Sequence, residues 1–242
     1  MRIPRIHTEQ ALQPHALVEL EAGASRHLAS ALRMQAGDAL VLFDGRGGEY
    51  AASIAQVEKR AVSVQIGEYR AVDNESPLAI HLGIGLSRGE RMDLVVQKAT
   101  ELGVAAITPL FTERSEVKLK GERAARKLGH WRQIAISACE QCGRNTLPQV
   151  HAPLAFGDWL AGSDSQLKLV LHHRAEPLAL DSAPRSASLL IGPEGGLSGA
   201  EIQAAEAAGF HSLALGPRVL RTETAPLAAI AVLQARWGDI SI

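Results

Sequence analysis

Two glycine-bearing loops lie close together near the C-terminal end, and they constrain this chain more than any other feature. The first runs Leu189-Leu190-Ile191-Gly192-Pro193-Glu194-Gly195-Gly196-Leu197 and is followed by Ser198-Gly199-Ala200-Glu201, the start of an alanine-rich helix. Ser198 with a glutamate at Glu201 is a capping box, which marks that helix start. The second runs Leu213-Ala214-Leu215-Gly216-Pro217-Arg218-Val219-Leu220-Arg221-Thr222-Glu223-Thr224-Ala225-Pro226. Thr224 is the candidate N-cap of a final, mostly apolar helix reaching Trp237. Each loop links an apolar strand-like run to a helix. A pair of such loops points to an α/β sheet with a ligand site outside the carboxyl ends of its strands.

The loop chemistry narrows the ligand. Glycines at Gly192, Gly195 and Gly196 let backbone approach a bound molecule closely, because no Cβ intervenes. The spacing does not match G-x-G-x-x-G, and no G-K-[ST] is present, so neither dinucleotide nor nucleotide phosphate loops fit. Glu194 also places negative charge where a phosphate would sit. The arrangement suits a ligand that is neutral or cationic there and is held by backbone groups.

The rest of the chain sets the frame. A chain of 242 residues allows one large domain or two smaller ones. Its 25 basic and 26 acidic residues nearly cancel, so any nucleic-acid contact depends on local patches. No apolar run approaches the ~20 residues of a membrane span. Met1-Arg2-Ile3-Pro4-Arg5 begins no signal-peptide core, so the expectation is a cytoplasmic protein away from membranes. Cys139 and Cys142, the only cysteines, close a helical pattern with no second pair, so no metal is expected.

Residues 1 to about 70 read as short strands at 16–20, 39–43, 50–57 and 61–66, with a short helix over 25–34 capped by Ser25. Asp44-Gly45-Arg46-Gly47-Gly48 resembles a nucleotide loop, but a strand pattern follows it, so it reads as a hairpin turn. The polar Asp73-Asn74-Glu75-Ser76-Pro77 marks a boundary between domains 1–72 and 73–242. Beyond it come a buried strand at 78–86, a helix over 91–103 closed by Gly103, and a strand at 105–111. This β-α-β order signals a mainly parallel sheet. The run 83–89 has two glycines in the wrong spacing for a fingerprint. Residues 113–145 are rich in basic side chains, among them Arg114, Lys118, Lys120, Arg123, Arg126, Lys127, Arg132 and Arg144. A further strand over 166–172 ends in His172-His173-Arg174.

The strings IGPEGGLSGAE and LALGPRVLRTETAPLAAIAVLQ resemble the paired C-terminal motifs of SPOUT methyltransferases. With TELGV and EQCGR ahead of them, the order is similar to that of the bacterial RsmE family, which methylates N3 of a uridine in small-subunit (16S) ribosomal RNA. The resemblance spans essentially the whole chain. It implies a trefoil-knotted, mainly parallel sheet with helices on both faces, preceded by a small PUA-like RNA-binding β-barrel. It implies bent S-adenosylmethionine gripped by Leu171, His172, Ile191, Gly192, Pro193, Glu194, Gly195, Leu215, Gly216, Leu220, Thr222, Thr224 and Ala225. By the same resemblance Arg2, Arg5, His27, Arg33, Arg114 and Lys118 would meet RNA. A homodimer formed through the last helix is also implied.

Methyl transfer from a sulfonium is a direct displacement, so alignment supplies much of the rate. N3 of uridine carries a proton, and a guanidinium beside the uracil carbonyls would stabilise the developing anion. Arg221 is the first candidate for that role and Arg144 the second. Glu140, or Glu223, is the nearest carboxylate by motif, with the base itself unassigned. Rival readings are a SPOUT enzyme acting elsewhere, such as a ribose 2′-hydroxyl, and a non-catalytic RNA-binding assembly factor. A Rossmann-type oxidoreductase lacks its fingerprint. The balanced charge suggests assembled subunits rather than naked RNA as substrate.

Overall fold

The computed structural model describes residues 3–59, 61–172 and 183–241. It forms two compact units, one comprising Met1–Glu75 with Cys139–Leu147, the other Ser76–Ala138 with Pro148–Ile242. The segment after residue 138 thus returns to the first unit. A linear split at residue 72 does not anticipate that return.

The first unit contains β1 (Arg5–His7), β2 (Leu17–Glu19), α1 (Ala22–Arg26), β3 (Ala39–Phe43), β4 (Glu49–Val57) and β5 (Val62–Arg70). Its sheet runs β1-β3-β4-β5-β2, with β1 parallel to β3 and the other pairs antiparallel. Leu40, Leu42, Ile54, Val62, Val64 and Ile66 fill the core beneath it. Alternation along β3 to β5 sends these residues inward at period two. β1 is three residues long and carries no sequence signal of its own.

The expected helix over 25–34 starts earlier, as α1, and continues as a π-helical turn over His27–Ala31. Ser25 is therefore not its cap. Its buried hydroxyl donates to Leu20 O (2.9 Å) and accepts from Val62 N (3.1 Å), pinning the helix to β5. The glycine run after β3 is a hairpin connection, since β3 and β4 pair up to Leu42↔Tyr50. Gly48 there has φ +70°, and a Cβ would fall 2.2 Å from the Tyr69 hydroxyl.

The second unit holds β6 (Ala79–Gly85), α2 (Arg91–Glu101), β7 (Ala106–Phe111), most of α3 (Gly121–Cys142), β8 (Gln149–Val150), β9 (Leu154–Ala155) and α4 (Phe156–Ala161). There follow β10 (Leu167–Leu171), β11 (Ser186–Ile191), α5 (Gly199–Ala207), β12 (His211–Leu213) and α6 (Thr224–Trp237). Strand order is β12-β10-β11-β6-β7-β8, with β9 also on β7, and every pair is parallel.

Helices cover both faces, and the strand pattern shows why. Leu189 and Ile191 of β11 join Leu82 and Ile84 of β6 against α2, Trp131 of α3, and Ala229, Ile230 and Leu233 of α6. Leu190 between them faces the other way, toward Val170, Trp159 of α4, Ala205 of α5 and Phe210. Buried on both sides, such strands read as continuous apolar runs. Gly83 in β6 leaves room for the Trp159 ring, which a Cβ would meet at 2.6 Å. Among the described residues no helix is long and apolar enough to cross a membrane.

A cleft built by two glycine loops

The carboxyl ends of β10, β11 and β12 open onto a cleft of about 740 Å³. That volume lies within the ~300–1,000 Å³ usual for small-molecule sites. Its aliphatic walls are Leu171, Ile191, Leu197, Ile202, Leu213, Leu215 and Leu220.

The first loop is shaped by a turn in which Gly196 N donates to Pro193 O at 2.8 Å. Gly192 sits so tightly that a Cβ would lie 2.6 Å from Leu197 N, leaving no room for any side chain. Ser198 and Glu201 then close the capping box in both directions. Glu201 does more than cap, since its other carboxylate oxygen accepts the Glu113 N–H at 2.8 Å. Arg114 beside it donates to Gly195 O at 2.9 Å, tying the segment after β7 to the glycine loop.

The second loop enters α6 through Arg221, whose carbonyl accepts from Thr224 N and Ala225 N, both at 2.9 Å. Thr224 is the first helical residue rather than the cap. Glu223 occupies the cap position without a side-chain bond to the helix. The two loops are joined electrostatically by Arg91. Its Nη1 meets Glu194 Oε1 at 2.7 Å, and its Nε lies 3.7 Å from Glu223 Oε2. Glu194 also accepts from Arg88 N at 3.0 Å. Partial burial pushes the Glu194 carboxyl upward, but the backbone N–H groups and Arg91 outweigh it and hold it below the usual range.

Of the expected donor-binding residues, Leu171, His172, Ile191, Gly192, Pro193, Glu194, Gly195, Leu215, Gly216, Leu220, Thr222 and Ala225 line this cleft. Thr224 does not line it; it is exposed at the first position of α6. Arg221 lines it as well, and so does Arg114. Arg91, Arg218 and Glu223 also line it and were not among the residues expected to bind the donor. Arg91 opens a helix with ordinary periodicity, so no local signal distinguishes it.

Arg144 and Glu140, the other expected catalytic groups, belong to the first unit and line no part of the cleft. The Arg144 side chain is 5% exposed and forms a two-pronged ion pair with Glu75. Burial disfavours its charge, yet Glu75 more than compensates and holds its pKa above the ordinary value. Glu140 accepts the His7 N–H at 3.0 Å. Burial pushes its pKa up despite that bond and the nearby His27, His7 and Arg5. Both anchor the returning segment to its own unit.

Arg5 is likewise engaged internally, through Glu49, Asn145 and the Arg144 carbonyl, with its side chain 12% exposed. His27, Arg33, Arg114 and Lys118 are exposed, and Arg2 lies outside the described residues. Both cysteines are free, and burial pushes the Cys139 thiol up to about 12. Among the described residues no cluster of metal-ligating side chains occurs.

Two family models match this chain. The one described as an RNA methyltransferase domain covers residues 74–234, and the one described as an RNA methyltransferase PUA domain covers 20–67. The ribosomal RNA small subunit methyltransferase E of Buchnera aphidicola (subsp. Schizaphis graminum) is 36% identical over 99% of each chain. The Bacillus subtilis protein of the same name is 32% identical over 93% of each. Among solved structures, a Legionella pneumophila methyltransferase with bound SAM superposes at TM-score 0.96 with 46% identity, covering 99% of this chain and 100% of that one. A Neisseria gonorrhoeae ribosomal RNA small subunit methyltransferase E bound to S-adenosyl methionine gives 0.93 and 41%, with the same coverage.

Proposed function

The chain belongs to the ribosomal RNA small subunit methyltransferase E (RsmE) family, and from that premise we propose that it methylates N3 of a specific uridine in 16S ribosomal RNA with S-adenosylmethionine as donor. The observation that carries this reading is the cleft between the two glycine loops, at the carboxyl ends of parallel strands.

The residues present fit the donor. Aliphatic side chains at Ile191, Leu215 and Leu220 suit the faces of an adenine ring. Backbone N–H and C=O groups beside Gly192 and Gly216 suit its polar edge and the ribose. No basic phosphate cradle is needed. When bound, the donor supplies a methyl group on a positively charged sulfur. The protein's own contribution is to align that carbon with the acceptor nitrogen and exclude water around both. Arg221 lines the cleft, and its guanidinium makes no hydrogen bond or ion pair among the described residues. It is therefore available to stabilise negative charge developing on a uracil carbonyl.

The first unit serves, in this reading, as the RNA-contacting module, with His27 and Arg33 on its exposed surface and Arg114 and Lys118 contributed by the second. The trefoil knot expected for the family would thread the loop before α6. A homodimer would bury the outer face of α6, where Val232 is 51% exposed. The enzyme would act on assembled subunits in the cytoplasm. Incubating the protein with methyl-labelled S-adenosylmethionine and unmodified small subunits tests the activity. Labelled 16S RNA is the expected result, and unlabelled RNA with no donor binding contradicts it.

A further inference from the structure

Methylating N3 requires that its proton go somewhere, and among the described residues the cleft holds few groups able to take it. Among the described residues two carboxylates line it, Glu194 and Glu223. Glu194 is engaged through one oxygen: its Oε1 accepts from Arg88 N at 3.0 Å and from Arg91 Nη1 at 2.7 Å, which ties it into the loop and lowers its basicity. Glu223 differs. Its side chain is 21% exposed, and among the described residues its one ion-pair neighbour is Arg91 Nε at 3.7 Å and its carboxylate accepts no hydrogen bond. It also stands two positions from Arg221, on the turn held by the Arg221 carbonyl.

We propose, building on the activity given above, that Glu223 is the catalytic base that removes the N3 proton, working beside Arg221. In the step, the N3–H bond breaks and its proton passes to a Glu223 carboxylate oxygen. The electron pair left on N3 forms the new N–CH₃ bond. The donor's C–S bond breaks, its electrons remaining on sulfur as a neutral thioether. A carboxylate is a weaker base than a uracil anion, so the transfer needs the anion stabilised as it forms. A guanidinium next to the base meets that need, and pairing the two roles on one turn keeps them in register.

Arg91 has a matching role. By satisfying Glu194 strongly and Glu223 only at longer range, it leaves one carboxylate for architecture and the other for chemistry. His172 also lines the cleft and is the competing acceptor.

Glu223→Gln preserves size and removes the basicity. The test measures donor binding by calorimetry and single-turnover methylation of small subunits for the wild type, Glu223→Gln and His172→Asn. Glu223→Gln should bind donor within about threefold of wild type while its rate falls on the order of 10²–10⁴-fold. Subunits reconstituted on RNA carrying 5-fluorouridine, whose N3 proton is more acidic, should recover much of that lost rate. A merely structural glutamate would give no such recovery. Near-normal turnover in Glu223→Gln overturns the proposal, as does a loss in His172→Asn that alone is rescued by 5-fluorouridine. An equal loss of donor binding and rate without rescue overturns it too. Wild-type transfer separates these outcomes from failure of the proposed activity itself, which would leave all three proteins inactive.

Discussion

At the residue scale the cleft divides its charges between structure and chemistry. Arg91 holds Glu194 and approaches Glu223, so its loss should loosen the first loop against the second. The pairs are partly exposed, and such pairs are worth roughly 0.2–1 kcal/mol. Arg91→Ala should therefore weaken donor affinity by only about two- to fivefold, read as a higher KM for S-adenosylmethionine with kcat little changed. Arg221→Ala should behave oppositely. Donor binding should persist while kcat falls about 10²–10³-fold, the usual cost of removing one group that stabilises transition-state charge. Single-turnover kinetics and calorimetry read the two effects separately. If Arg221→Ala raised KM with kcat intact, the electrostatic role would be wrong.

At the element scale, the capping box and the half-buried His81 give two further tests. Ser198→Ala removes the bond to Glu201 N and should cost about 1 kcal/mol, visible as a lowered melting temperature. His81 in β6 is half-buried, its Nε2 2.8 Å from Thr108 Oγ1 and 3.3 Å from Trp159 Nε1. Indole N–H can only donate, so Nε2 must be the unprotonated nitrogen. Burial chiefly, with His151 nearby, lowers its pKa to about 4. The unfolded chain therefore binds this proton more readily than the folded one. Stability is complete above the ordinary histidine pKa of about 6.5 and declines as pH falls from there toward 4. Denaturant titrations from pH 7 to pH 4 should show that loss, and His81→Asn should flatten it. The sequence displayed the apolar strands, α2, the capping box and both glycine loops, because each rests on local periodicity or local capping chemistry. It concealed β1, which exists only through pairing with β3, and the start of α1, which Ser25 braces from within. It also concealed that Arg144 and Glu140 are turned inward. A motif names residue types in order, whereas the partners Glu75 and His7 come from distant sequence.

At the scale of the whole molecule, the near-cancelling charge is the feature with consequences. With 25 basic against 26 acidic residues, the general electrostatic attraction that drives nonspecific RNA binding is weak. In the proposed reading, recognition relies instead on local groups such as His27, Arg33, Arg114 and Lys118, set against a shaped surface. The enzyme should therefore methylate assembled small subunits much faster than a naked 16S fragment containing the same uridine. Equal rates on both would show that charge balance does not limit it. The family assignment and the cleft together point to methyl transfer to uridine N3. Its most direct test is mass spectrometry of nucleosides from unmodified small subunits incubated with the protein and S-adenosylmethionine. N3-methyluridine is expected as the new nucleoside, at one site and dependent on the donor. A ribose-methylated nucleoside, or a methyl group on another base, would contradict it.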